Sequence, residues 1–203
     1  MKLIVFGATG GVGQHFVEMA VAAGHDVTVF VRTPEKLKTT GVHIIQGDAF
    51  NAAQVEGAIV GQEAVISCLG SSTGVKKSNE LEMMGKNIAD GMEKAGVKRL
   101  VYCASAGVDG EIPGIMGKMM MKMLANPLAD HRAALNYYKS KDIVYTIARP
   151  MGLKDEPLKT DYKEAVDTVP KGSSSIPRAS VAHFMVKALD DANYENKSVG
   201  LCS

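Results

Sequence analysis

The sequence predicts an α/β protein: a doubly wound parallel sheet with helices on both faces, in a single domain. Short apolar, largely β-branched runs recur at Leu3 to Phe6, Val27 to Val31 and Ile143 to Ala148. Each is too brief for a helix, which is how strands buried on both faces read. Between such runs lie segments with apolar residues at helical spacing, among them Leu81, Met84, Ile88, Met92 and Ala95, a stripe that belongs to a core. The 203 residues suit one domain, residues 1–203, with little room for a second, so substrate-contacting loops must come from the same sheet.

The first strand, Leu3 to Phe6, runs into glycines at 7, 10, 11 and 13, and a helical pattern starts at once with Val12, Phe16, Val17, Met19 and Ala20. Strand, glycine turn and helix together form a cradle for a dinucleotide pyrophosphate. A turn without Cβ atoms lets phosphate oxygens approach main-chain N–H groups, and the helix start adds unpaired donors and the positive end of its dipole. A purely structural glycine turn is the alternative, and the complete strand-turn-helix context favours the cradle. The spacing is G-x-x-G-x-x-G, with Thr9 before the second glycine, rather than G-x-G-x-x-G.

Gly7-Ala8-Thr9-Gly10-Gly11-Val12-Gly13 resembles the cofactor loop of extended and atypical short-chain dehydrogenase/reductases. Later residues narrow the resemblance to the NAD(P)H-binding group that includes flavin reductase/biliverdin-IXβ reductase and the NmrA-like proteins. It runs through nearly the whole chain and implies a Rossmann-like fold, with Gly7, Thr9, Gly10, Gly11 and Val12 on the pyrophosphate.

The second strand ends at Arg32, where an NAD-selective site carries Asp or Glu. A guanidinium binds a 2′-phosphate through two parallel charge-assisted bonds, so NADP(H) is expected over NAD(H); the alternative is a solvated arginine. Thr33 then caps a short helix with Pro34 in its first turn. Val42 to Gln46 is the third strand. Asp48 and Ala49 follow it and match the family's segment beside the adenine, although Asp48 could instead cap the helix from Asn51 to Ile59. Glu63 to Leu69 is the fourth strand. Leu69 and Gly70 at its carboxyl end flank the ribose and pyrophosphate, where doubly wound sheets bind ligands. A helix from Asn79 to Ala95 ends at Gly96.

The fifth strand leads into Ser105-Ala106-Gly107. The resemblance places Ser105 facing the nicotinamide as the candidate catalytic residue, positioned to relay a proton; a turn-forming serine is the alternative. Tyr137 and Lys141 have the Tyr-x-x-x-Lys spacing of short-chain reductases, but counting back from Arg149-Pro150 puts Leu128 and Arg132 at those positions. Tyr137 then reads as helix packing and Lys141 as solvated charge. Residues 107–130 and 151–178 are the expected substrate loops. The methionines at 116, 119, 120, 121 and 123 suit a pocket wall, a dimer surface or core, and three adjacent ones cannot share one helix face. The resemblance sets Pro150 and Met151 against the nicotinamide. Gly152 stands where biliverdin-type members often carry histidine. Residues 154–175 read as polar loop, a last helix runs to Leu189, and Ser198 to Cys202 reads as a final edge strand.

The net charge of +1 with both signs dispersed argues against nucleic acid. No run reaches the length of a membrane span, and Met1-Lys2 enters a strand with no signal-peptide pattern, so a cytoplasmic protein is expected. Three cysteines without metal-ligand spacing imply neither disulfides nor a metal. The chemistry expected is hydride transfer to a flavin or quinone-like acceptor, which needs stacking and distance more than a protein acid. The protein would act as a monomer or homodimer. An NmrA-like redox sensor that binds NADP(H) and acts through a protein partner also lacks the tyrosine-lysine pair, but usually has a larger C-terminal part. A sugar-nucleotide epimerase or dehydratase would need the missing tyrosine.

Overall fold

The computed structural model describes all 203 residues. Its strands are β1 (Lys2–Phe6), β2 (Asp26–Val31), β3 (His43–Gln46), β4 (Ala64–Ser67), β5 (Arg99–Cys103), β6 (Val144–Pro150), β7 (Gly152–Lys154), β8 (Lys163–Val166), β9 (Ser175–Pro177) and β10 (Lys197–Cys202). Eight form one sheet in the order β3-β2-β1-β4-β5-β6-β10-β8, and β7 pairs with β9 in a small ribbon. The helices are α1 (Gly11–Ala22), α2 (Ala52–Ile59), α3 (Glu80–Ala95), α4 (Gly114–Met123), α5 (Ala125–Lys139) and α6 (Arg178–Asp190).

Alternation along β1 shows why both faces are covered. Leu3 and Val5 join the core beneath α1 and α6, while Ile4 and Phe6 join the core beneath α2, α3 and α5. Successive side chains of a strand point to opposite faces, so a run apolar at every position needs a helical layer on each. Strand order reverses between β1 and β4, and a doubly wound sheet opens a crevice at the carboxyl ends of the strands there.

The last strand is not at the edge. β10 lies parallel to β6 and is buried from Ser198 onward, and the edge is β8, antiparallel to it. The polar stretch expected as loop thus supplies β8, whose Lys163 and Glu164 suit an open edge. Two caps also differ from expectation. Thr33 makes no side-chain cap on the turn Pro34–Lys36. The cap of α2 is Asn51, which accepts the Gln54 N–H, while the Asp48 carboxylate accepts the Phe50 N–H two residues on.

The start of α3 is capped from another helix. Asp130 of α5, buried, accepts the Leu81 and Glu82 N–H groups at 3.2 and 2.9 Å and the Ser78 hydroxyl at 2.7 Å. A remote carboxylate here does what the local Asn79 side chain does not. Replacing Asp130 by Ala should lower unfolding stability by about 2 kcal/mol and Asp130→Asn by less. Equal urea midpoints for wild type and Asp130→Ala would show that the cap contributes nothing.

Candidate functional site

The glycine turn is closed by the Gly10 N–H on the Gly7 carbonyl at 3.0 Å, and the first helical donor, Gln14, bonds the Gly10 carbonyl. The Gly11, Val12 and Gly13 N–H groups therefore stand ahead of the helical ladder as free donors. No acidic side chain occupies the first turn of α1 and no side chain caps it, so the positive end of the helix is left for an anion. Gly7 has a φ of +78°, and a Cβ there would lie 2.5 Å from the Cys68 carbonyl oxygen at the end of β4. Gly11 is kept bare by a different neighbour: a Cβ would meet Arg178 Cδ at 2.6 Å. The stem of Arg178, the first residue of α6, lies across the turn, and its guanidinium bonds Asp155 at 2.7 Å.

Two cavities flank this turn. The smaller, about 90 Å³, brings together Gly7, Thr9, Arg32, Asp48, Ala49, Leu69 and Gly70, all singled out from sequence. Phe30 forms part of its floor, and a Cβ at Gly47 would run into that ring at 2.4 Å. Arg32 is exposed and makes no ion pair. Glu80, on the same wall, accepts the Ser72 hydroxyl and N–H, both at 2.6 Å, and the Ser71 hydroxyl at 3.0 Å. Those Ser72 bonds, helped by Ser71 and by the charge of Arg32, hold the Glu80 pKa below its usual value.

The larger cavity, about 980 Å³, gathers Ser105, Pro150 and Met151 with Arg178 at its border. The Ser105 hydroxyl donates to the Ala106 carbonyl at 3.1 Å and is partly exposed. Met116 and Met120 of α4 wall this cavity, Met119 and Met123 are exposed, and Met121 packs on the core. The methionine run is thus divided between pocket, surface and core. His131 of α5 lies on the opposite wall, its Nδ1 2.8 Å from the hydroxyl of buried Tyr102.

The loop after β5 is pinned from below. Arg149 has no exposed side-chain surface; it bonds Glu111 Oε1 at 2.5 Å and the Ser198 and Thr168 carbonyls at 3.2 and 3.3 Å. Glu111 in turn accepts the Gly107 and Asp109 N–H groups, both at 3.0 Å. Burial pushes the Cys103 thiol up to about 12 and lifts the Cys68 thiol well above its usual value, so neither offers a thiolate nucleophile.

Tyr137 and Lys141 border neither cavity. The tyrosine hydroxyl donates to Asp90 at 2.8 Å, and Lys141 pairs with Glu93 and Asp90 at 2.7 and 3.1 Å, between α3 and the end of α5. At the positions inferred for that pair, Leu128 is buried and Arg132 donates to the Val108 carbonyl. Sequence reasoning missed Glu80, Glu111, His131 and Arg178. Only Arg178 had a signal, a cation at a predicted helix start, where it opposes the dipole and calls for an anion nearby.

Comparison with known proteins shows the family and the fold. The chain is 31% identical over 202 residues to the uncharacterized chloroplastic protein At2g34460 of Arabidopsis thaliana, covering 93% of this chain and 71% of that one. It is 27% identical to the uncharacterized sugar epimerase YhfK of Bacillus subtilis, covering 99% and 94%. A short-chain dehydrogenase/reductase of Veillonella parvula, solved in complex with NADP, superposes with a TM-score of 0.81 at 22% identity over 99% and 94% of the two chains, a likeness of fold. The NAD(P)H-binding family matches residues 7–192, and the chain belongs to that family.

Proposed function

We propose that the chain is an NADPH-preferring oxidoreductase that reduces a flat aromatic acceptor, flavin or quinone-like, in a reducing compartment such as the cytoplasm. One observation supports this reading: all the site residues singled out from sequence except Gly10, Gly11 and Val12 line one of two cavities, and those three belong to the glycine turn that runs from Gly7 in the first to Arg178 at the border of the second, as an extended dinucleotide requires. The adenosine end fits the smaller cavity, with Asp48 and Ala49 at the base, Leu69 and Gly70 along the ribose and Arg32 at the 2′-phosphate. Gly7, Thr9, Gly10, Gly11 and Val12 hold the pyrophosphate through main-chain donors, and Arg178 adds a charge beside them. Ser105, Pro150 and Met151 orient the nicotinamide. The group fits a cradle in which a Cβ at Gly7 or Gly13 would strike backbone, while one at Gly11 would displace the Arg178 side chain that lies across the turn.

Bound there, a reduced nicotinamide supplies a hydride. The chain's part is to place it: the larger cavity exceeds the volume of one aromatic ring and leaves its methionine wall for a second ring to stack against. An epimerase acting on an alcohol would need a tyrosine proton donor, and buried Leu128 stands at the position inferred for it.

The protein, mixed with NADPH and a panel of flavins and quinones, should oxidise the nicotinamide with at least one. Tight NADPH binding with no turnover would favour the redox sensor instead. In calorimetry, Arg32→Ala should weaken NADPH about 10- to 100-fold and leave NADH affinity unchanged; equal losses for both would place Arg32 away from the 2′-phosphate. Tyr137→Phe should keep kcat and cost under about 1 kcal/mol of stability, because its partner Asp90 is near the surface. A loss of turnover at intact cofactor affinity would return Tyr137 to the chemistry.

A further inference from the structure

We propose that His131 is a catalytic residue of the larger cavity, its neutral imidazole donating the Nε2–H to the oxygen of a carbonyl- or quinone-type acceptor. The inference rests on the reductase reading and adds a group that touches the acceptor. His131 shares the cavity with Ser105, Pro150 and Met151. Behind it the Tyr102 hydroxyl, buried, has His131 Nδ1 as its sole partner, and the two rings meet edge-on with centroids 5.8 Å apart. Burial lifts the Tyr102 pKa well above its usual value, so the phenol stays protonated, and with no other partner for its buried O–H it donates that proton to His131. Nδ1 is then the acceptor, and the ring's single proton sits on Nε2. Nε2 takes part in no hydrogen bond or ion pair, and His131 lines the cavity, so its donor is left for a group bound there.

The charged and titratable groups around the ring are few. Tyr102 faces it from β5 and Asp130 adjoins it on α5, while Lys171 and Arg178 also border the cavity. The Asp130 carboxylate is turned away onto the start of α3. Loss of solvation pushes the His131 pKa down to about 4, against the opposing pull of Asp130, so the ring is uncharged at neutral pH. A neutral imidazole held in one tautomer polarises a carbonyl without surrendering its proton.

When the acceptor takes a hydride, whose source is a reduced nicotinamide, the electron pair displaced from its C=O π bond settles on oxygen. The Nε2–H bond strengthens as that charge grows. The proton stays on His131, and water supplies the one that completes the reduction. The acceptor gains two electrons and two hydrogens, and the nicotinamide is oxidised. Tyr102 is a positioning residue that fixes the tautomer.

Nitrogen NMR of the cofactor-free protein should show His131 as the neutral Nε2–H tautomer from pH 5.5 to 8, and Tyr102→Phe should mix the tautomers; a cationic ring or a fixed Nδ1–H form in wild type overturns the proposal. With a 1,4-naphthoquinone and NADPH, His131→Leu should lose about 100-fold in kcat at unchanged NADPH affinity, and His131→Gln, which keeps a donor, should lose less. Wild-type kcat in His131→Leu overturns it. Should wild type turn over no acceptor, the reductase reading fails, and infrared spectroscopy of the bound quinone still decides this inference. Its carbonyl stretch should be lower in wild type than in His131→Leu, and equal frequencies overturn the contact.

Discussion

A Cβ at Gly13 would stand 2.2 Å from the Gly7 carbonyl oxygen, and one at Gly7 would stand 2.5 Å from the Cys68 carbonyl oxygen. Backbone therefore lies directly on backbone where β1, β4 and α1 converge, at the reversal of strand order. Donors of the first helical turn are held at the rim of the sheet by main-chain geometry, without depending on any rotamer. A site built this way loses little entropy on binding, because the groups that meet the phosphates are already fixed. Two arginines stand beside this backbone frame, Arg32 just after β2 on one flank and Arg178 at the start of α6 on the other, and in the proposed reductase they would add charge selectivity.

Much of this was legible in the chain because it is local. Strands such as β1 are apolar at every position from Leu3 to Phe6, the helical stripe of α3 keeps its period for sixteen residues, and Gly96 takes the left-handed φ of +70° that a helix stop requires. The grouping of Gly7, Thr9, Arg32, Asp48, Ala49, Leu69 and Gly70 around one cavity was legible for the same reason, since these residues sit at strand ends and turns. What escaped is tertiary. Lys163–Val166 becomes a strand only because β10 offers it an open edge, and its Lys-Glu-Ala-Val sequence, which has no apolar-polar alternation, looks like loop in isolation. Asp130 caps α3 from a helix 49 residues further along, and no local cap signal marks it. His131 gains its place from Tyr102, on a strand 29 residues away.

The buried Arg149–Glu111 pair belongs to that second class and has a direct bearing on function. Burying both charges brings a desolvation penalty comparable to their attraction, so such a pair is a weak source of stability. Its effect here is positional. Glu111 spends its remaining acceptor capacity on the Gly107 and Asp109 N–H groups, and Arg149 anchors the assembly to β6 and to the Ser198 carbonyl of β10. The turn from Ser105 to Ile112, which gives the larger cavity Ser105, Ala106 and Ile112, is thereby tied to the sheet floor.

That helix supplies the contrast. α4 buries only Gly117, pressed against Ile112, and offers flexible methionines both to the cavity and to its own outer surface. One end of the crevice is thus defined by backbone that cannot move and the other by side chains that adapt. Rigid donors suit a ligand that is the same in every turnover, whereas polarisable, unbranched side chains accommodate rings of differing outline at small energetic cost. Selectivity on the acceptor side must then come from its few directional groups rather than from shape, and in this cavity those groups are the Ser105 hydroxyl, the His131 imidazole and the cations at its border.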